Sequence, residues 1–319
     1  MANDAGNDLL RAATACAADA QLLCEDLSYL LFPRVLETPS EELQASLLFT
    51  LRQIVSGVEQ LLGLTTDSDA DPQSWKILSK AGLLREPRLI EYCLARIAEE
   101  NLQERMDAAR FESLEQLPAK LALSGDANLQ SLAVTFLAAE GASRGNRPIG
   151  IARQLPADLL HLLVWRVIAV FRTDAECNED DAAALVAAGH RILAGHDEAQ
   201  TLQAAAAKLA FSLSDAARAE LLDPATAGIP LFVAAIVQEF DLHFDRVIRL
   251  IDENSAAPIL TILRARDLDF DAASQQLTLL RGQRKDDFQL PAYVRSFTQL
   301  SPQEARRQIS LWRFGGADS

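Results

Sequence analysis

From residue 4 to residue 314 the sequence is a succession of amphipathic helical segments, separated by Pro, Gly and short acidic caps. No stretch alternates apolar and polar residues as a half-buried strand would. Apolar residues make up 49% of the chain but aromatic residues only 6%. Ala and Leu must therefore fill most of the interior, which requires closely packed helices. The sequence predicts an all-α protein.

The sharpest periodicity lies near the N-terminus, where apolar residues recur at alternating spacings of four and three, as in a heptad seam. The seam consists of Leu9, Ala13, Cys16, Ala20, Leu23, Leu27 and Leu30. Thr38-Pro39-Ser40-Glu41 is typical of a capping box with Pro at the first helical position, so a second helix is expected there. Its predicted apolar face consists of Leu47, Leu51, Ile54, Val58 and Leu61. Residues 1–64 are therefore predicted to form an antiparallel helical hairpin. This hairpin either packs on the rest of the protein or pairs with a second copy as a homodimer.

A polar, acidic linker at 65–71 is the predicted boundary between the hairpin and a helical body at 72–223. Its alternating aspartates imitate the start of a calcium loop, but Pro72 and Leu78 stand where such a loop needs Gly and Glu. Asp71 is expected instead to cap a helix that begins at Pro72. Further along, residues 143–149 are expected to form a loop and Asn178 to be a helix N-cap. The hexapeptide at 116–121 recurs at 154–159, an offset of 38 residues, close to the period of HEAT-type helical pairs. We expect a HEAT-like, α-solenoid-like array of stacked helical pairs, with chance repetition in an Ala- and Leu-rich chain as the alternative.

The net charge of −15 is unevenly distributed. The C-terminal region, 224–319, ends in a basic segment, whose last helix is predicted to open with the capping box Ser301-Pro302-Gln303-Glu304. Between Arg281 and Arg313, seven basic residues face three acidic ones, a local charge of +4 that leaves −19 on the rest. So acidic a body argues against general nucleic-acid binding, which depends on Lys and Arg. We expect the basic segment to dock within the protein, with a second copy or an acidic partner as the alternatives.

Features that would direct the chain to a membrane or an oxidising compartment are missing from the sequence. The first residues are acidic and polar rather than basic and apolar. The longest apolar stretches fall short of the ~20 residues of a membrane span. The four cysteines form no C-x-x-C pair. We expect a cytoplasmic protein that does not bind a membrane.

Residues that could carry chemistry are scattered. His190 and His196 lie on either side of a helix end, no H-E-x-x-H pattern occurs, and no Gly-rich phosphate loop follows a strand. Arg166 lies in an apolar helix and needs a carboxylate or carbonyl partner if it is buried. We expect a structural ion pair there, with anion binding as the alternative. Arg306 and Arg307 are further candidate contacts for an anion or a partner, and no catalytic, cofactor-binding or metal-binding residues are predicted.

Three segments carry a resemblance to a known family. They are PADLLHLLVWRVIAVFR at 156–172, FDLHFDRVIRLIDENSAAPILTILRARDLDFDAASQQLTLLRG at 240–282, and LSPQEARRQISLWR at 300–313. In these stretches the chain resembles the bacterial family catalogued as domain-of-unknown-function family 2336. The resemblance covers about the last half of the chain and implies a helical fold with HEAT-like pairing. It implies no activity and no catalytic residues.

These features favour a non-enzymatic protein–protein interaction or scaffold module, since stacked helical pairs present extended concave surfaces. We expect a protein partner and no cofactor. The first alternative is a regulatory helical domain that binds a small anionic ligand near Arg166 or the basic segment. The second is an enzyme of unrecognised type.

Overall fold

The computed structural model describes residues 8–16, 40–65, 71–109, 116–144, 147–173, 178–253, 255–282 and 290–313. Every regular element within these ranges is helical, which confirms the predicted all-α class. Four positions of the predicted N-terminal seam, Ala20, Leu23, Leu27 and Leu30, lie outside the described residues.

The described ranges contain helices of very different lengths. In chain order they are α1 (8–16), α2 (Glu41–Leu61), α3 (Trp75–Lys80), α4 (Pro87–Ala109), α5 (Leu117–Ala122), α6 (Ala127–Arg144), α7 (Pro148–Arg153), α8 (Ala157–Arg172), α9 (Glu179–Gly195), α10 (Leu202–Ser212), α11 (Asp215–Glu220), α12 (Pro224–Ala227), α13 (Ile229–Phe240), α14 (Phe244–Asp252), α15 (Ala257–Ala265), α16 (Phe270–Arg281), α17 (Leu290–Gln299) and α18 (Pro302–Trp312). A 3₁₀ turn at Glu198–Gln200 precedes α10.

The chain forms two compact units, each assembled from separated stretches. The first unit contains residues 1–25, 94–133 and 206–319, and the second contains 26–93 and 134–205. The predicted boundaries at 65–71 and at 223–224 both fall inside a unit rather than between two.

The second unit is built around α2, which packs against α7 and α8. Its buried face carries Leu47, Leu51, Ile54 and Val58, four of the five positions predicted for this helix, and Leu61 is half-buried. Helices α2 and α7 approach closely at Gly57, where a Cβ atom would lie 2.0 Å from the carbonyl oxygen of Pro148. The acidic linker therefore does not separate α2 from the helices that follow it.

The start of α2 differs from the prediction. Its N-cap is Ser40, whose side-chain oxygen accepts the backbone N–H of Leu43 at 3.2 Å. Glu41 and Glu42 follow in the first turn, where the helix dipole favours acidic residues. Thr38 and Pro39 of the predicted capping box lie outside the described residues, and the N-cap of the helix is Ser40 rather than Thr38.

The two related hexapeptides do not have the same structure. Gln116 is the N-cap of α5, and Pro118 is the second residue of that helix. In the second copy Gln154 is the C-cap of α7, and Pro156 is the N-cap of α8. The helix therefore starts two residues later in the second hexapeptide, so the sequence match does not mark equivalent helical pairs.

In the first unit, arginine side chains bind the C-terminal ends of neighbouring helices. Within the described residues, four arginines donate to a carbonyl at or just beyond such an end: Arg306 to Ala265 (2.8 Å), Arg313 to Phe240 (2.7 Å), Arg281 to Glu253 (2.9 Å) and Arg264 to Leu300 (2.6 Å). A cation there satisfies a free carbonyl and compensates the negative end of the helix dipole. Helix α18 packs against α13 and α15, so the basic segment docks within the protein, as predicted.

Candidate functional site

A groove with a volume of about 510 Å³ lies in the second unit. It runs between the C-terminal ends of α2 and α8 and one face of α9, and we call it the α9 groove. Its volume falls within the range of natural ligand-binding pockets. The groove joins segments far apart in the sequence, and no sequence signal pointed to it.

One wall of the groove is formed where α2 ends. Gly63 adopts a left-handed conformation with φ of 75°, and the N–H of Leu64 donates to the carbonyl of Glu59 at 2.9 Å. These are the marks of a Schellman helix end, which turns the chain sharply after the last helical residue. The turn places the apolar side chains of Leu62 and Leu64 along the groove. Phe171, near the end of α8, extends this apolar wall.

The opposite wall is one face of α9. Asp181, Ala184, Leu185, Ala188 and Arg191 line it, at spacings that place them on the same side of a helix. Helix α9 is anchored on α8 by its one buried residue, Gly189, where a Cβ atom would lie 2.6 Å from Cδ1 of Ile168. The other residues of α9 are half-buried or exposed, so one face of the helix can line the groove.

Opposite charges mark the two ends of the groove face. Asp181 lies in the first turn of α9 and Arg191 ten residues later, which at a rise of about 1.5 Å per residue separates them by about 15 Å. Both residues are exposed, and no ion pair joins either side chain to another group in the described part of the chain. The predicted N-cap Asn178 accepts the backbone N–H of Asp181 at 2.8 Å. The groove is thus apolar along its middle, negative at one end and positive at the other.

A buried carboxylate holds the groove's remaining segment in place. Glu59 is fully buried, and its Oε2 accepts the N–H of Gln73 at 3.0 Å. Its Oε1 accepts the N–H of Ser74 at 2.8 Å and the Ser74 hydroxyl at 2.6 Å. Gln73 also lines the groove. These three hydrogen bonds fix the chain before α3 against the end of α2.

Two of the three arginines named from the sequence, Arg166 and Arg306, bind other groups of the same chain. Arg166 donates to the carbonyl of Leu83, and its other terminal nitrogen lies 3.8 Å from a carboxylate oxygen of Glu86. Burial lowers the pKa of the Arg166 guanidinium, and Glu86 opposes that shift. This is the carboxylate and carbonyl pairing expected of a structural arginine. Arg306 donates to the carbonyl of Ala265 in α15, and Arg307 is exposed on α18.

The described part of the predicted dimer seam is buried within a single chain. Leu9 and Ala13 are fully buried, and Cys16 is half-buried. Thr14 lies between Ala13 and Cys16 on α1, and its hydroxyl accepts a hydrogen bond from the side-chain amide of Gln308 in α18. This burial is what the packing alternative predicts, whereas dimerisation through the hairpin stays a prediction.

The side chain of Trp165 on α8 contacts two histidines, one on α8 and one on α9. The indole Nε1 of Trp165 donates to Nε2 of His161 at 3.0 Å, and the ring of His190 meets Trp165 edge-on at 5.0 Å. Sequence reasoning treated the histidines as isolated and missed this cluster. The described ranges contain no group of three or more His, Cys, Asp or Glu residues arranged to hold a metal ion. Nor does any helix in those ranges have the length and apolar character needed to cross a membrane.

No family model, curated protein or solved structure shows a significant match to this chain.

Proposed function

We propose that this protein is a helical protein–protein interaction module and that the α9 groove is its binding site. The groove is the observation that carries the proposal. Apolar side chains from the ends of α2 and α8 line it beside one face of α9, and among the described residues the charged ones lie at its margins. An apolar centre with a polar rim is the usual arrangement of a protein-binding surface.

We also propose that the helices stack in HEAT-like pairs, related to domain-of-unknown-function family 2336. The support is that helices adjacent in the sequence pack on one another: α8 on α9, α13 on α14, and α14 on α15. Such pairing leaves helix faces available along the array for a partner.

A regulatory site for a small anionic ligand has less support. At two of the three residues named for it, Arg166 and Arg306, the guanidinium already donates to a backbone carbonyl, whereas the third, Arg307, is exposed. An anion there would have to replace an existing contact.

The proposal can be tested by selecting from a displayed library of random helical peptides with the purified full-length chain. Peptides enriched by the wild-type protein are then measured against Ala188→Arg, which fills the groove, and Ala183→Arg. Ala183 is exposed on the opposite side of α9, so it provides the same substitution on the same helix as a matched control.

We expect Ala188→Arg to lose the selected peptides and Ala183→Arg to keep them. Circular dichroism melting of both variants confirms that they remain folded. Equal binding by the two variants, or no peptide enriched above empty resin, would count against the groove as a binding site.

A further inference from the structure

We infer that the partner of the α9 groove is a second copy of this chain, with the α9 helices of the two copies packed antiparallel about a two-fold axis. The inference rests on the proposed function, because it names the partner of the same groove. It comes from the distribution of charge and side-chain size along α9, which is complementary to itself.

In one alignment of two antiparallel α9 helices, residues of the two groove faces pair favourably at several positions at once. When Asp181 of one copy lies opposite Arg191 of the other, Ala184 of one lies opposite Ala188 of the other, because both pairs share Val186 as their midpoint. The two-fold axis then repeats each contact. The result is two ion pairs at the margins and two alanine contacts in the centre, as an isologous interface requires.

Electrostatics favours this orientation over the parallel one. The charges of Asp181 and Arg191 have no ion-pair partner within the described residues of one chain. Antiparallel packing gives each an opposite charge and also opposes the two helix dipoles. Parallel packing would place Asp181 beside Asp181 and Arg191 beside Arg191.

The shape of the groove is compatible with a helix as its occupant. Ala184 and Ala188 are small and lie one turn apart, so a second helix can approach closely there. The apolar wall of Leu62, Leu64 and Phe171 stands beside that position and would cover the incoming helix. A face of about three helical turns is smaller than the interfaces of stable dimers, so the dissociation constant should be about 10–50 µM.

The test is sedimentation velocity of the full-length chain up to about 300 µM, well above that dissociation constant. The wild-type protein should shift from monomer to dimer as its concentration rises. Asp181→Arg and Arg191→Asp should each weaken the dimer by about tenfold, since each creates two like-charge contacts. An equal mixture of the two single variants should dimerise again, because the heterodimer regains two opposite-charge pairs. The double variant with both substitutions should also recover.

Two further variants serve as controls. Ala188→Arg should abolish the dimer and Ala183→Arg should leave it unchanged, with melting temperatures reporting that each variant is folded. A wild-type chain that stays monomeric over the whole range overturns the inference. So does a dimer that is indifferent to the charge substitutions, which would assign dimerisation to another surface such as the N-terminal seam. If the chain is monomeric but still selects peptides that Ala188→Arg loses, the groove binds a helix of another protein, and the proposed function stands without the dimer.

Discussion

Glu59, near the end of α2, binds the backbone N–H and the hydroxyl of Ser74 with a single carboxylate oxygen, at 2.8 and 2.6 Å. Its second oxygen accepts the N–H of Gln73 at 3.0 Å. The carboxylate is fully buried, and its hydrogen bonds hold the chain at Gln73, which lines the groove, against the end of α2. It therefore acts in place of an N-terminal cap for the short helix α3, from a position well before it in the sequence.

Glu59→Gln should destabilise the second unit by about 1–3 kcal/mol, because the buried amide NH₂ must face at least one of the three donors that now bind the carboxylate. Glu59→Ala should cost more, since it leaves all three donors unpaired. Glu42→Gln, on an exposed turn of the same helix, is the control and should change stability by a few tenths of a kcal/mol, or about the size of one dipole interaction. Urea unfolding followed by circular dichroism measures all three, and equal midpoints for Glu59→Gln and Glu42→Gln would show that the buried carboxylate is dispensable.

Two glycines within helices should respond oppositely to alanine. Gly57→Ala would place a Cβ atom 2.0 Å from the backbone oxygen of Pro148 and 2.8 Å from Cβ of Ala152. Because a backbone carbonyl cannot move aside, we expect a loss of about 3 kcal/mol or a displaced α7. Gly141→Ala, inside α6 with nothing within 4 Å, should stabilise the protein by about 0.5–1 kcal/mol. Thermal melting distinguishes them, and a tolerated Gly57→Ala would mean that α2 and α7 are not in contact.

Replacing Glu239 in the ion pair with Arg266 should destabilise the protein more than replacing Arg266. Nε of Arg266 lies 3.0 Å from a Glu239 oxygen, and the exposed fractions of the two side chains are 2% and 37%. Glu239→Ala leaves a buried guanidinium without its counter-charge and should cost about 3 kcal/mol. Arg266→Met removes the buried charge, keeps apolar contact with Phe232 and leaves Glu239 hydrated, so its effect should stay within about 1 kcal/mol. A larger loss for Arg266→Met than for Glu239→Ala in urea unfolding would contradict this account.

The capping box of α18 should be visible in a pH titration. The Glu304 carboxylate accepts the hydroxyl of Ser301 at 2.7 Å and its N–H at 3.0 Å, and both hydrogen bonds lower the pKa of Glu304. A carboxyl with a lowered native pKa adds stability above its unfolded pKa, and this stability is lost as the pH falls through the native pKa.

Ser301→Ala removes the hydroxyl bond and keeps the backbone one, so it should move the pKa of Glu304 part of the way up towards that of an ordinary glutamate and reduce its contribution near neutral pH. Carbon-detected NMR of the glutamate carboxyl signals measures the shift. Thr298→Ala, just before the box, is the control and should leave the Glu304 titration in place. An unchanged titration in Ser301→Ala would show that the capping box does not form in solution.

Local signals in the sequence were sufficient where the interacting residues are close along the chain. Ser301 and Glu304 were predicted as a capping box, and both reciprocal hydrogen bonds are present. The buried face of α2 was predicted from its periodicity alone. These features depend on side chains within one or two turns of each other, so the helix itself fixes their geometry.

Predictions failed where a distant contact decided the outcome. Helix α3 was expected to begin at Pro72 with Asp71 as its cap, but it begins at Trp75. The N–H groups of Gln73 and Ser74 are bound by the distant Glu59 rather than by Asp71. The segment 143–149 was expected to be a loop, yet it contains the start of α7, which packs on Gly57 of α2.

The sequence by itself determined the helical class, most helix positions and which face of each amphipathic helix is apolar, because these depend on propensity and periodicity over a few turns. Only the tertiary structure decided which apolar faces meet. It brought the ends of α2 and α8 to one side of α9, so that Leu62 and Asp181 line the same groove. That choice depends on how side chains from distant segments fit together, for which one sequence carries no local signal.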